Sequence, residues 1–206
     1  MEDKEIIQQV LSGDNNAFGL LVEKYQTKVY NLALRMSGSE EDAFDLSQEA
    51  FIRAWRSLGS FQFESSFSTW LFRLSSNICL DFLRARKRRA TVSLTVLSEE
   101  EDEQTQLDLP DPGPGPEEAL LAAEDRALLT EALNSLPADQ RQIITLRAIN
   151  DLSYTEIAQV LQIQEGTVKS RLSRARTMLR NKLLQTGNNS DTASSNQQKG
   201  GMRDEL

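Results

Sequence analysis

An acidic segment rich in proline and glycine interrupts the chain between two stretches of helical sequence. Residues 91–118 carry nine acidic side chains and no basic one, and they include the run from Pro110 to Pro116. Such a composition buries too little apolar surface to offset the entropy lost on ordering, so we predict a flexible tether. The sequence therefore predicts two small helical domains, residues 1–90 and 119–185, instead of one large core.

The acidic segment also explains the overall charge of the chain. The net charge is −8, and removing the nine acidic residues of the segment leaves +1 for the remainder. Two basic clusters stand out in that remainder, and both have the charge needed to neutralise phosphates. They are Arg84, Arg86, Lys87, Arg88 and Arg89 in the first half, and Lys169, Arg171, Arg174, Arg176, Arg180 and Lys182 in the second.

Apolar residues in the first half recur three or four positions apart, which is the spacing of one helical face. The first such stripe comprises Phe18, Leu21, Val22, Tyr25, Val29, Leu32, Ala33 and Met36. A second helix is predicted from the N-cap Ser39, with Phe44, Phe51, Trp55 and Leu58 buried, and a third from Phe67, with Leu71, Leu74, Ile78 and Phe82 facing inward. Because strand-type alternation occurs nowhere, the predicted fold class is all-α.

A helix-turn-helix is predicted in the second half, between Ser153 and Arg180. After a helix that opens near Pro137, the capping-box pattern of Ser153 and Glu156 starts a short helix, which turns at residues 162–164 close to Gly166. The second helix has an inward stripe of Val168, Leu172, Ala175 and Leu179. Residues 186–206 are rich in Asn, Ser, Gln and Gly, so we predict a disordered tail.

The second helix of this motif has residues that suit the reading of DNA bases. Lys169, Ser170, Ser173 and Arg174 share one face near its start, where Lys and Arg donate to guanine and Ser serves as donor or acceptor. Arg171, Arg176 and Arg180 lie to the flanks and are predicted to contact phosphates. A basic helix face alone is more often simply solvated; here it coincides with a short helix and a tight turn.

Composition excludes several other functions. The chain has no histidine and one cysteine, Cys79, which rules out a disulfide framework, a zinc site and histidine acid–base catalysis, and we predict that Cys79 is buried. No apolar run is long enough to span a bilayer, and the first residues lack the pattern of a secretory leader. We therefore expect a cytoplasmic, non-enzymatic protein without a metal or cofactor.

Motifs in both halves resemble the extracytoplasmic-function (ECF) sigma factors, the small promoter-recognition subunits of bacterial RNA polymerase. In the second half they are Leu136-Pro137, Arg141, Leu146-Arg147, Leu152 to Ala158, Gly166 to Leu172 and Arg174 to Arg176. In the first half they are Asp45 to Glu49, Phe51, Ala54, Trp55, Phe67 to Arg73, Asn77, Asp81 and Arg84. The likeness covers nearly everything except the linker and the tail, in the same order.

The resemblance implies a surface for the polymerase core. It assigns Asp45, Gln48 and Glu49, with Phe51 and Trp55 beside them, to the coiled coil of the largest subunit, and it implies a further contact with the flap. A mixture of acidic and aromatic side chains suits a basic partner helix.

The resemblance also assigns residues to the two promoter elements. The loop from Phe61 to Phe67 and the α-helix after it are assigned to the minus-ten element, since an aromatic loop accepts an unstacked base and adjacent cations hold its backbone. The minus-ten residues are Phe61, Phe63, Phe67, Trp70, Asn77, Asp81, Arg84, Lys87 and Arg88. The minus-thirty-five residues are Thr167, Lys169, Ser170, Arg171, Ser173, Arg174 and Arg176.

Further features of the family follow from the same likeness. The position after Phe72 is Arg73, so the chain departs from the tandem tryptophans that housekeeping sigma factors use to melt DNA, and melting is expected to depend more strictly on promoter sequence. The acidic linker is expected to pass through the nucleic-acid channel of the polymerase. Its negative charge mimics that of nucleic acid, so RNA is expected to displace it. The free protein is expected to be a monomer, sequestered by an anti-sigma protein that is often membrane-anchored.

Two other functions remain open at this point. Clustered carboxylates bind Mg²⁺, so Asp42, Asp45 and Glu49 fit a metal-dependent nuclease, although no nucleophile completes such a site. A repressor or activator that binds DNA without polymerase would leave the first domain unexplained.

Overall fold

The computed structural model describes residues 2–93 and 127–197, and these residues form helices joined by short turns without any strand. The fold class predicted from the sequence is confirmed for this part of the chain. The helices are α1 (Asp3–Leu11), α2 (Phe18–Ser37), α3 (Glu40–Ser57), α4 (Phe67–Ser93), α5 (127–134), α6 (Ala138–Ala148), α7 (Tyr154–Leu161) and α8 (Glu165–Gln197). Helix α4 continues as far as Ser93 and so includes the first three residues of the predicted linker. The rest of the linker lies outside the described residues.

The core of the N-terminal domain is built on α2, as its periodicity predicts. Its inward stripe is buried, apart from Val22, which is half-buried; the buried members are Phe18, Leu21, Tyr25, Val29, Leu32, Ala33 and Met36. The Tyr25 hydroxyl donates a hydrogen bond to Asp3 Oδ2 at 2.5 Å, and Lys24 Nζ lies 2.6 Å from Asp3 Oδ1. Burial and then the Asp3 carboxylate raise the pKa of Tyr25. These bonds tie α1 to α2.

The face that α3 presents to the core differs from the prediction. Ser39 caps the helix as expected, its hydroxyl accepting a hydrogen bond from the Asp42 amide at 3.3 Å. The buried stripe, however, consists of Ala43, Ser47, Ala50 and Ala54. Small side chains let α3 approach α2 and α4 closely, which turns the adjacent aromatic stripe outward. The predicted burial is therefore wrong for Phe44, which is 56% exposed, and for Trp55, and it is confirmed for Leu58.

Helix α4 follows the prediction and carries the one cysteine. Leu71 and Ile78 are buried, Leu74 is half-buried against the core, and Phe82 is half-buried. Cys79 is 2% exposed, so its predicted burial is confirmed, and this burial raises the pKa of its thiol to about 12.

The C-terminal domain is centred on α6. Six consecutive residues, 141–146, are buried, so α6 is covered on all sides, as a helix at the centre of a core must be. Helices α7 and α8 pack against α6 from one direction and α2 packs against it from another. The predicted turn is confirmed, since α7 ends at Leu161 and α8 begins at Glu165.

The two domains are docked on one another. Buried residues of both halves form a single continuous hydrophobic cluster, and polar bonds cross between them. Arg141 Nη1 donates to the Met36 carbonyl at 2.8 Å, and Asn150 Nδ2 donates to the Lys28 carbonyl at 3.0 Å. The sequence predicts two domains but gives no sign of this contact.

The tail prediction needs a correction. Residues 186–206 were predicted to be disordered because they are poor helix formers, yet α8 continues to Gln197. Extending an existing helix needs no new nucleus, so weak propensity is a poorer guide at the end of a long helix than in an isolated segment. Residues 198–206 lie outside the described residues.

The cap of α7 allows a test of local stability. The Ser153 hydroxyl accepts from the Glu156 amide at 3.2 Å, and Glu156 Oε2 accepts from the Ser153 amide at 2.8 Å, which completes the predicted capping box. Because Ser153→Ala leaves one helix amide without its partner, we expect a loss of about 1 kcal/mol in urea unfolding. Thr177→Ala, at an exposed position of α8, is the control and should change stability by less than about 0.5 kcal/mol. An equal loss in both variants would contradict the role of the cap.

Candidate polymerase and promoter interfaces

An apolar groove lies between α2 and α3 on the outside of the N-terminal domain. Its volume is about 820 Å³, and three large apolar side chains at its rim are exposed: Phe44, Ile52 and Trp55. The Trp55 ring meets Phe18 edge to face with centroids 5.0 Å apart, which holds the indole at the groove wall. The complete lining is Phe18, Val22, Gln26, Thr27, Tyr30, Phe44, Ser47, Gln48, Phe51, Ile52, Trp55 and Arg56.

The predicted polymerase-binding residues divide between this groove and its edge. Gln48, Phe51 and Trp55 line the groove, whereas Asp45 and Glu49 lie beside it on α3. Asp45 is exposed, and Glu49 accepts a hydrogen bond from Arg53 Nε at 2.5 Å. The surface is therefore an apolar groove with an acidic margin.

Sequence reasoning missed Phe44, Ile52 and the α2 side of the groove. The signal was present in the periodicity of α3. Ala43, Ser47, Ala50 and Ala54 already form a complete helical stripe, so the larger apolar residues on the next stripe had no core position left to occupy.

Four aromatic rings gather at the loop between α3 and α4, which we call the aromatic loop (residues 58–67). The Phe61 ring lies 4.8 Å from Phe63 and 5.2 Å from Trp70, and Phe67 lies 5.6 Å from Trp70, measured between centroids. Phe63 is 42% exposed and has a positive φ of 57°, a conformation that bulky residues seldom adopt. The loop thus presents Phe63 outward.

The structure corrects the assignment of two of these rings. Phe61 and Phe67 are predicted to contact the minus-ten element, but they are 7% and 3% exposed and pack in the core. A ring without a free face does not stack on a base, so their contribution is to support Phe63 and the half-buried Trp70. Trp70 and Arg73 border a cavity of about 360 Å³ next to the loop, and Gln159 of α7 and Gln162 of the following turn also border it.

The exposed side of α4 continues from the aromatic loop. Asn77, Asp81, Arg84 and Arg88 are all exposed and recur at helical spacing, and Arg84 Nη1 lies 3.0 Å from Asp81 Oδ1. Lys87 is exposed beside them. Arg86, another member of this basic cluster, points differently, because its Nη1 donates to the Ser37 carbonyl at the end of α2. The exposed side of α4 therefore leads from the aromatic loop past Asn77 and Asp81 to cations further along the helix.

The start of α8 carries the residues predicted to read the minus-thirty-five element. Lys169, Ser170, Ser173 and Arg174, which we call the reading face, are exposed, as is Arg176, whereas Thr167 and Arg171 are half-buried. Val168, Leu172 and Ala175 are buried on the opposite side, as predicted. The motif therefore presents its polar and basic side to solvent.

Lys169 is held by neighbours in the free protein. Its Nζ lies 3.0 Å from Glu165 Oε1 and 5.9 Å from the centre of the Tyr154 ring, over which the Arg147 guanidinium also lies at 5.6 Å. The hydrogen bond and the charge of Lys169 lower the pKa of Glu165. Because this ion pair is exposed, exchanging it for a base edge costs little.

The tight turn of the motif lies where it is predicted, at residues 162–164. Gly166 is next to the turn, in the first turn of α8, and a Cβ there would meet nothing within 4 Å. The left-handed position is Gln162, with φ 54° and ψ 45°. A glutamine at this position carries strain that a glycine would avoid.

Two absences hold within the part of the chain that the structure describes. No cluster of three or more metal-ligating side chains occurs there, and two of the three carboxylates considered for a nuclease lie near cations, Glu49 near Arg53 and Asp42 near Arg86 at 3.9 Å. Among the same residues, no helix combines the length and the hydrophobicity needed to cross a membrane.

Comparison with known proteins identifies both halves. Residues 21–89 match the family model for sigma-70 region 2, and residues 126–179 match the model for sigma-70 region 4. The RNA polymerase sigma-H factor of Pseudomonas aeruginosa is 40% identical over 175 residues, which cover 85% of this chain and 90% of that protein. The ECF RNA polymerase sigma-E factor of Escherichia coli K12 is 40% identical over 183 residues, covering 89% and 95%.

Solved structures agree with the sequence comparison. CnrH, solved in complex with the cytosolic domain of CnrY, superposes with a TM-score of 0.65 at 27% identity and covers 89% of this chain and 97% of that one. The sigma factor RpoE of Bartonella quintana, solved with the anti-sigma factor NepR, has a TM-score of 0.65 at 28% identity and covers 82% and 97%. With two matching sigma-70 regions and relatives aligned over most of its length, this chain belongs to the ECF sigma factors of bacterial RNA polymerase.

Proposed function

We propose that this chain directs promoter-specific initiation by joining three surfaces to polymerase and DNA. The α2–α3 groove with its acidic margin binds the core enzyme, the aromatic loop with α4 binds the minus-ten element, and the reading face binds the minus-thirty-five element. The observation that carries the proposal is the reading face, where four polar or basic residues are exposed on a helix whose opposite side is buried. The reaction itself is catalysed by the polymerase.

The groove fits a helical partner with an apolar stripe and basic flanks. Three large apolar side chains that line this one groove are exposed. Exposed apolar side chains gathered in one patch are typical of a protein interaction site. Asp45 and Glu49 lie at the edge, where opposite charges guide association and fix orientation. This chemistry supports the assignment of α3 to a coiled coil of the core enzyme.

Reading of the minus-ten element is assigned to Phe63 and Trp70. Phe63 offers an exposed ring face, and Trp70 is half-buried at the mouth of the neighbouring cavity. An unstacked base placed on these rings gains stacking energy, and the cations along α4 hold the strand that carries it. Since Arg73 follows Phe72 where the family's housekeeping members have a tandem-tryptophan pattern, this chain is expected to melt only promoters whose sequence itself favours opening.

Substitution of Phe63 tests this assignment. Stacking on an aromatic side chain contributes about 1–3 kcal/mol per base, so Phe63→Ala should lower the affinity for a minus-ten single strand by about 5- to 150-fold. Gln8→Ala, at an exposed position of α1, serves as the control and should bind normally. Fluorescence anisotropy of a labelled oligonucleotide measures both. Equal binding by Phe63→Ala and wild type would remove the loop from base recognition.

Run-off transcription distinguishes the proposed function from its alternatives. Purified core polymerase with this protein should start at a defined promoter, whereas core alone should not. A repressor or activator that acts without polymerase would bind the DNA but leave core unable to initiate, and a nuclease would cut bare DNA in the presence of Mg²⁺. We also propose that the protein acts in the cytoplasm and is held there by an anti-sigma protein, as CnrH and RpoE are solved with CnrY and NepR.

A further inference from the structure

Helix α7 contacts the start of α8 through two neighbouring residues, Tyr154 and Thr155. Thr155 Oγ1 donates a hydrogen bond to Glu165 Oε2 at 3.3 Å, while Glu165 Oε1 lies 3.0 Å from Lys169 Nζ. The centre of the Tyr154 ring lies 5.9 Å from the same Nζ. The two oxygens of one carboxylate therefore join α7 to the first basic residue of the reading face. We call Tyr154, Thr155 and Glu165 the lysine clamp, because together they hold Lys169.

The lysine clamp is anchored on the side of α7. The Tyr154 ring is half-buried against the hydrophobic core. A second cation, the Arg147 guanidinium, lies 5.6 Å from the centre of this ring, and its Nη1 donates to the Leu152 carbonyl at 3.0 Å. An aromatic ring attracts a nearby cation, so Tyr154 gives Lys169 a fixed surface to rest on. An isolated ion pair in solvent holds a side chain weakly, whereas this pair has a hydrogen bond and a ring beside it.

A lysine at a DNA surface needs such guidance to read sequence. Its ammonium is a point charge on a flexible stem, and it binds the phosphates of any sequence as well as base edges. Pairing with Glu165, four positions earlier, draws the ammonium of Lys169 toward the N-terminal end of α8, which is the end of a recognition helix that meets base edges. One of its three N–H donors meets Glu165, so two are left for a base edge. The clamp thus favours base contacts over phosphate contacts.

We propose that Glu165 determines specificity at the minus-thirty-five site through the position of Lys169. On DNA without the cognate element, the carboxylate keeps the ammonium away from phosphates, so non-specific binding stays weak. On the cognate element, Lys169 reaches its base edge from the position in which it is already held. A negative charge at a DNA surface lowers the affinity for every sequence, so the gain from Glu165 is discrimination instead of affinity. This inference rests on the proposed assignment of the reading face.

Competition binding of the full-length protein tests this role. The measured quantity is the preference for a duplex with the minus-thirty-five element of a mapped promoter over a scrambled duplex. Glu165→Gln should lower this preference by about two- to fivefold, the size expected for a solvent-exposed ion pair, because the scrambled duplex gains more affinity than the element does. Binding to the scrambled duplex should also become more sensitive to salt, since the released Lys169 adds about one phosphate contact.

Two comparisons separate positioning from a simple effect of charge. Glu131→Gln removes the same charge at an exposed position of α5 and should leave the preference unchanged. In a protein that already carries Lys169→Ala, adding Glu165→Gln should also leave the preference unchanged, because the residue through which Glu165 acts is gone. If Glu165→Gln strengthens binding to both duplexes by the same factor, its charge only repels DNA and the proposal is overturned. If it still lowers the preference in the absence of Lys169, Glu165 contacts a base itself, which overturns the positioning role.

Lys169→Ala alone distinguishes a failure of this inference from a failure of the proposed function. A preference that survives Lys169→Ala removes Lys169 from base reading, and the role of Glu165 fails with it. A preference that Lys169→Ala lowers and Glu165→Gln leaves intact overturns only the inference. Should Glu165→Gln not fold by circular dichroism, Thr155→Val, which keeps the net charge and removes the hydroxyl that holds Glu165, should lower the preference in its place. An unchanged preference in folded Thr155→Val would then overturn the proposal.

Discussion

Reversing the charge of Asp45 and Glu49 together should abolish binding to the core polymerase while the protein remains folded. Both carboxylates lie on α3 beside the apolar groove, and close charge pairs across protein interfaces couple by about 1.5 kcal/mol or more. Asp45→Lys with Glu49→Lys should therefore weaken core binding by at least about 100-fold. Co-purification of tagged variant with core, followed by run-off transcription, measures the loss.

The fold should tolerate this change. Asp45 is exposed, and Glu49 pairs with Arg53 in solvent, with side chains 40% and 52% exposed. The free energy of unfolding should therefore change by less than about 1 kcal/mol. Glu23→Lys with Asp139→Lys makes the same change in net charge at exposed positions on other helices and should leave core binding intact. Equal retention of core by the α3 variant and this control would remove α3 from the polymerase interface.

Loss of Lys169 or Arg174 should impair recognition of the minus-thirty-five element more than it impairs general DNA binding. Both side chains are exposed at the start of α8, and each contact with a base edge is worth about 1–3 kcal/mol of discrimination. Lys169→Ala or Arg174→Ala should lower the preference for the cognate element over a scrambled one by about 5- to 150-fold. Competition binding with the two duplexes measures this ratio.

Arg180→Ala provides the matched control for the reading face. Arg180 is exposed further along the same helix and is predicted to contact phosphate, which positions the protein without reading sequence. Its loss should weaken binding to both duplexes by the same factor and make that binding less sensitive to salt. If Lys169→Ala or Arg174→Ala behaves like Arg180→Ala, these residues contact the backbone and the assignment of the reading face is wrong.

Periodicity predicts most of the helices but misses which residues line two of the surfaces. The buried stripe of α2 could be predicted because large apolar residues make up most of it. On α3 the core stripe consists of alanine and serine, so attention to large side chains misplaced Phe44 and Trp55. In the aromatic loop, composition alone does not separate Phe61 and Phe67, which support the loop, from Phe63, which faces solvent. Burial depends on tertiary contacts that local patterns do not contain.

The docking of the domains was beyond the reach of local sequence patterns for a related reason. Arg141 belongs to a motif that helped identify the family, but its bond to Met36 joins residues more than 100 positions apart. A buried arginine that meets a helix end is a pairwise feature of the fold. The helix-turn-helix, in contrast, was predictable because its cap, turn and buried stripe all lie within one short segment.

Cys79 limits the kinds of stimulus that this protein senses by itself. Burial raises the pKa of its thiol to about 12, so the thiolate is scarce at neutral pH, and the side chain is shielded by the core. Peroxides and disulfides react with thiolates that they reach, so oxidative stress has no direct point of attack on this residue. A thiol-based redox signal that alters the promoters this chain serves must therefore be received by another molecule and relayed through binding.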